Sequence, residues 1–491
     1  MDKIDALIKE LTLEEKVSIL SGSDAWHTTP VERLSIPRVK MTDGPNGARG
    51  DGGSKVSSAC YPNGSAIAST WDTELIETLG KSLGREAKSK DADVLLGPTI
   101  NIHRHPLGGR HFECYSEDPF LTGAVTVAYV KGVQSQGVAA CIKHFVGNDT
   151  EFQRHTVSSN IKPRALREIY LLPFEMAVKQ GGALGVMSAY NQLNNIYCSS
   201  NEELLINILK EEWNFPGYVV SDWGAALQTI ENANGGLDCE MPGPAKTWGK
   251  NLVKAVKDNK VKEATINDKV TRILRVAEFT GRLQNPEEKP EESNDLKEDR
   301  ELIRQVAADS MVLLKNDGVL PFNKSEIKTL AVIGSNAEKG QFIGGGSATV
   351  KPHYVVHPLE GLEQNLKENL TVKYAKGCHI HKFLPAIEQE LINCPKTGKS
   401  GFLVDFFKGE DFGGEVLKST VMTGGRFWAL TGFGVDVSSK MKSPSLSVRF
   451  SATLQPKVSG EHTFELVSIG PARLKIDGKE IVDNWTSQEP G

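Results

Sequence analysis

No apolar run in this chain approaches the roughly 20 residues needed to cross a bilayer. The opening residues, Met1 to Asp5, carry no apolar segment of a secretory leader and pass directly into an amphipathic helical pattern. Cysteine is sparse. Cys60, Cys114, Cys141, Cys198, Cys239, Cys378 and Cys394 are odd in number and lack close paired spacing, which argues against a zinc ribbon or a disulfide framework. Excess charge is missing as well: a net charge of -5 over 491 residues gives no electrostatic reason to expect nucleic acid or anionic membrane as partner. There is no internal repeat, no G-x-S-x-G elbow of an acyl-transfer hydrolase and no phosphate cradle. Gly344, Gly345, Gly346 and Ser347 lack the order of a nucleotide loop and read as a flexible turn. Asn-x-Ser/Thr triplets such as Asn63-Gly64-Ser65 mean little without an export signal. A cytoplasmic protein is expected, with secretion left open.

What is present describes a globular chain too long for one core, at 39% hydrophobic and 24% charged residues. Its 47 glycines are spread along the length, as tight connections would place them. A capping box at Thr12 to Glu15 starts a helix with Val17, Ile19 and Leu20 on it. From there, short apolar runs alternate with helical patterns. The runs are Val39 to Thr42, Val94 to Leu96, Val138 to Ile142, Leu184 to Tyr190 and Tyr218 to Ser221. Between them lie helical stretches with Leu75, Leu79 and Leu83 on one face, a Pro163-opened stretch with Leu166, Ile169 and Tyr170, and an Asn201-capped stretch with Leu205, Ile208 and Leu209. Such alternation implies parallel strands joined by crossover helices, so residues 1–284 are expected to form a (β/α)8-type barrel.

Residues 285–300 are acidic and proline-bearing and read as a linker. Residues 301–390 look like the first part of a second α/β domain. Its strands are expected at Met311 to Asn316 and at Leu330 to Gly334, after a helix carrying Leu302, Ile303 and Val306. From 391 to 491 the texture becomes antiparallel β: Leu446, Val448, Phe450 and Ala452 alternate with polar residues, as do Phe464 and Leu466. Ile476-Asp477-Gly478-Lys479 reads as a hairpin turn. No closing strand is visible between Trp485 and Gly491.

The apolar runs end in polar groups: Asp43, the segment from Arg104 to Glu113, Lys143 with His144, Met187 with Tyr190, and Asp222. Any one of these is unremarkable as a helix cap or surface charge. Strand C-termini of a barrel share one mouth, however, so together they define a candidate site. Asp222 is the candidate nucleophile. Asp43 can accept from neighbouring hydroxyls, Arg110, Lys143 and Arg154 can donate to others, and Trp223 offers an apolar plate for the CH face of a sugar ring. His103, His105 and His111 invite a metal reading, but Arg104 and Arg110 interleave with them and no acidic or thiolate ligand has helical spacing to them, so no metal and no cofactor is expected. Cys141 reads as a buried thiol within a strand.

Four strings occur in order: Asp43-Gly44-Pro45-Asn46-Gly47-Ala48-Arg49, the run from Gly109 to Pro119, Lys143-His144-Phe145, and Ser221-Asp222-Trp223. Together they resemble glycoside hydrolase family 3, in particular its yeast and fungal intracellular β-glucosidases. The likeness covers residues 1 to about 390, while the remainder resembles the front of a protective-antigen-type β-sandwich inserted in the second domain. The resemblance implies a retaining β-glucosidase acting on terminal β-D-glucosyl groups. It makes Asp222 the nucleophile and Asp43, Arg110, Lys143, His144, Arg154, Met187, Tyr190 and Trp223 the substrate-binding residues. Small-molecule or oligosaccharide β-glucosides are the implied partners, and homo-oligomerisation is left open. A β-xylosidase of the same family and a catalytically silent sugar-binding product are the alternatives.

The departure from the family pattern concerns the acid/base glutamate, which lies after the inserted module. None of Glu338, Glu360 or Glu363 occupies the matching place. The expectation is therefore a fragment of a longer protein, with impaired activity, open sheet edges and exposed apolar faces.

Overall fold

A parallel sheet of five strands, curled and buried on both faces, carries the first half of the chain. The structure is a computed structural model and describes residues 3–51, 56–323, 325–366, 370–381, 384–425, 446–468 and 470–486. Its strands are β1 (Met41–Asp43), β2 (Val94–Leu96), β3 (Ala139–Phe145), β4 (Gly185–Ser188) and β5 (Tyr218–Ser221), paired in that spatial order. All pair in parallel, with Asp43 opposite Leu96 and Ser188 opposite Ser221. Continuous apolar runs suit them, because both faces of the sheet are buried.

The helices that matter here are α1 (Lys3–Glu10), α2 (Leu13–Ile19), α3 (Thr73–Ser89), α4 (Pro119–Gln134) and α5 (Leu172–Lys179), followed by α6 (Glu203–Glu212), α7 (Glu263–Phe279) and α8 (Lys297–Asp309). The capping box forms as expected: Glu15 N–H donates to Thr12 Oγ1 at 3.2 Å, and Thr12 N–H donates to the Glu15 carboxylate at 2.9 Å. Asp72 and Asp118 cap α3 and α4 by accepting backbone N–H groups. These two helices cross at bare backbone. A Cβ on Gly132 would lie 2.3 Å from the Glu77 carbonyl oxygen, and one on Gly80 would lie 2.6 Å from that of Tyr129.

The eightfold barrel expected from the alternation is corrected to a curled half-barrel. Among the described residues the sheet has five ladder-paired strands. It continues past β5 only by single parallel bridges, Val220 with Cys239 and Ser21 with Glu240. Pro242 and Pro244 follow at once and have no N–H to extend a ladder. The Glu240 carboxylate takes the N–H groups of Lys246, Thr247 and Trp248 at 2.8–2.9 Å, which turns the chain away.

The acidic stretch expected as a linker is irregular up to α8, which begins at Lys297 inside it, and it is tied down. Glu288 accepts from Arg38 at 2.6 Å, Glu291 from Lys40 at 2.9 Å, and Glu292 N–H donates to the Ser89 carbonyl at 2.8 Å. The strand expected at Met311 to Asn316 does not form. The segment is irregular and exposed, with Leu314 91% exposed, because no neighbouring strand among the described residues offers it a ladder. Two strands do form beyond it, β6 (Thr329–Ile333) and β7 (Thr371–Ala375), parallel to each other.

By internal contacts the chain divides into two units, Met1–Ala375 and Lys376–Pro490. Within the second, β8 (Phe402–Lys408) pairs antiparallel with β9 (Val416–Met422) and β10 (Leu446–Ser451). The hairpin of β11 (Ala472–Ile476) and β12 (Lys479–Asn484) turns at Asp477 and Gly478, both at positive φ (49° and 77°) as a type I′ turn requires. Phe464 and Leu466, expected in an alternating strand, lie in irregular chain. Residues 426–445 fall outside the described residues, as do residues 487–491, where the absence of a closing strand was expected.

Candidate active site

Asp222 is the first residue past β5, and the strand end is fastened before the side chain leaves it. Asp222 N–H donates to the Ser188 carbonyl at 3.1 Å, and Gly224 N–H to that of Met241 at 2.8 Å. Ser221 Oγ accepts from Met241 N–H at 3.0 Å. Beneath, the buried Asp238 carboxylate accepts Val219 N–H at 2.8 Å and the Lys210 ammonium at 2.6 Å.

One oxygen of the Asp222 carboxylate, Oδ1, accepts Trp223 N–H at 2.7 Å. The other, Oδ2, is buried and has no hydrogen-bond partner. Its neighbour is His144 Nε2 at 3.5 Å, and the local network explains why that contact is not a hydrogen bond. Asn101 is oriented by donating Nδ2–H to the His144 carbonyl at 2.9 Å, so its Oδ1 faces His144 N–H at 2.9 Å and the ring Nδ1 at 3.3 Å. Nδ1 therefore carries the proton. The Nε2 lone pair accepts from Arg110 Nη1 at 3.0 Å. Burial, with Arg110, Lys143 and Arg154 adding to it, holds His144 well below the usual imidazole range and hence neutral. Nε2 thus has no proton to donate to the Asp222 oxygen. Burial also pushes Asp222 above the usual carboxylate range, against the pull of Arg110, Lys143, the Trp223 N–H and Arg154.

The other expected residues converge on this point by a chain of contacts. Lys143, on β3, lies 3.3 Å from Asp43 Oδ1 at the end of β1. Arg110 donates from Nε to Glu113 at 2.6 Å. Arg154 pairs with Glu151 at 2.7 Å and stacks over the Tyr190 ring at 4.6 Å. Tyr190 OH donates to the Trp223 carbonyl at 2.9 Å. Trp223 Nε1 donates to the Ala25 carbonyl at 2.9 Å, and its ring lies 5.5 Å from that of Trp26. Met187 is buried on β4 in register with Val220 and makes no polar link to the others.

Further residues belong to this cluster, of which only Glu113 lay in a segment expected there. Arg49 Nη1 lies 3.7 Å from Asp43 Oδ2, and its buried Nε has no partner. Asn101 sets the His144 tautomer. Glu113, buried, accepts Thr99 Oγ1 at 2.8 Å as well as Arg110. Ser347, expected in a mere flexible turn, accepts from Arg110 Nη2 at 3.1 Å. Arg49 was within reach of a reading of its motif, since it shares a short loop with Asp43; Ser347, more than 200 residues from Arg110, carried no local signal.

The arrangement is a buried carboxylate with one unengaged oxygen, ringed by cations and flanked by aromatic rings. It can attack an electron-poor carbon while fixing several hydroxyls around it. Residues 12–276 match the glycosyl hydrolase family 3 N terminal domain, and residues 311–464 match the C-terminal domain of that family. The chain belongs to glycosyl hydrolase family 3. A β-glucosidase of Rhizobium radiobacter is 48% identical over 492 residues, covering 99% of this chain and 58% of the relative. β-Glucosidase B of Emericella nidulans is 42% identical, covering 98% and 56%. Among solved structures, a β-glucosidase from Kluyveromyces marxianus in complex with glucose is similar at a TM-score of 0.76 and 40% identity, over 86% of this chain and 52% of that one. β-Glucosidase 3B from Thermotoga neapolitana in complex with α-D-glucose is similar at 0.70 and 38%, over 76% and 55%. The chain thus spans a little over half the length of the relatives it matches.

Proposed function

We propose that this chain carries the glucosyl-binding and nucleophilic half of a retaining β-glucosidase. The observation that carries the reading is the unengaged, buried Oδ2 of Asp222 amid Arg110, Lys143 and His144. In this reading Oδ2 attacks C1 of a terminal β-D-glucosyl group and forms a glycosyl-enzyme. Oδ1 is held back by Trp223 N–H, so only one oxygen is presented. Asp43, Lys143, Arg49 and Arg154 fasten the ring hydroxyls, and the Trp223 and Trp26 rings wall the leaving-group side.

A retaining mechanism needs a second carboxyl group about 5–5.5 Å from the first, to protonate the leaving oxygen and then activate water. The carboxylates described around Asp222 are committed elsewhere: Asp43 to Lys143, Glu113 to Arg110, Glu151 to Arg154. None is assigned as acid/base, and unaided turnover is proposed to fall by the roughly 10²–10⁴ that such a group contributes.

A fluorinated glucoside with a very good leaving group tests this, because it needs little acid assistance. Intact mass should show one glucosyl adduct per chain, mapped to Asp222 and missing in Asp222→Asn. A chain that stays unlabelled, or an Asp222→Asn variant that labels normally, defeats the assignment. The same experiment with the xyloside separates glucosidase from xylosidase by the faster labelling reagent.

A further inference from the structure

We propose that His103, His111 and Cys114 form a binding site for one borderline transition ion of the zinc class, on the turn that also carries Arg110. Their spacing in the chain is not that of a helical ligand set, and the fold supplies what spacing does not. A single turn of 3-10 helix, His111–Glu113, presents His111 and leads directly to Cys114, while His103 is returned to the same place by its N–H bond to the Ser116 carbonyl at 3.1 Å. One ring nitrogen of each histidine and the Cys114 sulfur all lie within 4.8 Å of one another, and the two rings are 4.9 Å apart.

Three details point to a ligand rather than to mere proximity. His103 Nε2 lies 2.8 Å from the His111 carbonyl oxygen, so it carries the proton and leaves the lone pair on Nδ1. This is the outer hydrogen bond by which metal-bound histidines are oriented. His111 Nε2 is buried and has no hydrogen-bond partner, an orphan that needs an explanation. Cys114 is buried, and its sulfur is held only by backbone groups, the Arg110 carbonyl at 3.5 Å and the Asn101 backbone. Two imidazoles and one thiolate suit zinc and its soft neighbours, with a fourth position open to water.

Binding replaces the thiol proton. The Cys114 S–H bond breaks, the sulfur–metal bond forms, and the proton leaves to solvent, with no change of oxidation state. Tetrahedral zinc would draw the ligand atoms to about 3.5 Å apart, so the turn must close by roughly 1 Å. Two cations adjoin the ligands in sequence: Arg110 opposes the ion less than its charge suggests, because Glu113 pairs with it at 2.6 Å, and Arg104 is hydrogen-bonded to Tyr170. The ion would therefore pin the turn that bears Arg110, independently of what Asp222 does.

The 491-residue chain, stripped of metal, should take up one zinc ion in calorimetric titration and gain thermal stability from it. With cobalt(II) alone it should show a thiolate-to-metal absorption band. Cys114→Ser should abolish the band. His103→Gln, which alters only a half-buried side chain, should weaken zinc binding at least tenfold while leaving the metal-free melting temperature in place. Cys378, His379 and His381 are an exposed soft-ligand group that could mimic the signal. A band lost in Cys378→Ser but kept in Cys114→Ser overturns the proposal, as does zinc affinity unchanged in His103→Gln or the absence of any uptake.

Discussion

The five-stranded sheet β1–β5 and the strand pair β6–β7 are built from similar apolar runs and end in opposite circumstances. Every residue of β2, β4 and β5 is buried. In β6 and β7, buried positions are absent and exposed ones alternate with half-covered ones. The runs differ less than their surroundings do. Around β1–β5, helices α3, α4, α5 and α7 contribute Leu79, Leu83, Val130, Phe174 and Ile273 to one continuous core. The apolar residues of the segment that precedes β6, Met311, Leu314 and Val319, are themselves exposed. Strand-forming residues make a strand, but cover from a second layer makes it stable.

The sharpest way to test that contrast is at the strand ends. Asp222→Asn, after β5, should lower glycosyl-enzyme formation by about 10⁴-fold, as loss of a nucleophile does. Asn336→Ala, three residues past β6, should leave it unchanged, and intact-mass kinetics compare the two directly. If both variants labelled alike, the chemistry would not belong to the covered sheet.

Core substitutions come next in size. Leu79→Ala, at a fully buried position of α3, should cost about 2–5 kcal/mol in denaturant unfolding. Leu314→Ala should stay within about 0.5 kcal/mol.

A pH experiment asks whether burial in the covered region has electrostatic consequences. Burial pushes the Asp149 carboxyl up to about 7, with Arg104 opposing, and Oδ1 lacks a partner. Its folded value lies above the unfolded one, so between about pH 4 and 7 the folded state holds more protons and stability falls as pH rises. Asp149→Asn should flatten that segment of the stability profile, with the gap between variant and parent widening toward pH 7 in urea titrations. His144 carries the opposite sign. Its folded value is lowered, so its contribution is present above the ordinary imidazole range and is lost as pH falls through it.

The smallest effect is read without mutation. Amides of β4 and β5 should exchange with protection near that of global unfolding, and those of β6 and β7 much faster. Equal protection in the two sheets would remove the distinction drawn here.

Much of the covered region was legible along the chain because its signals are local. An apolar run of strand length and a capping box at Thr12 need only nearest neighbours to act. Strand ends at Asp43 and Asp222 followed from the same reading; the strand expected to stop at Ile142 instead continues to Phe145, so Lys143 and His144 lie within it. What stayed hidden depends on distant partners. Met311 to Leu314 has the composition of a strand and no ladder to join. Pro242 and Pro244 cut short the expected closing of the barrel. Ser347 reaches Arg110, and Asn101 fixes the tautomer of His144, through contacts that no periodicity announces.

Residue order alone placed the five buried strands and put Asp43 and Asp222 at the ends of two of them. These follow from backbone sterics and the alternation of apolar runs, which act over a few residues. Only the folded molecule decided that one oxygen of Asp222 is left without a partner, that His144 is neutral, and that His111 and Cys114 face His103. Those outcomes depend on burial and on distances between groups far apart in the chain, and desolvation has no value until the surrounding atoms are in place.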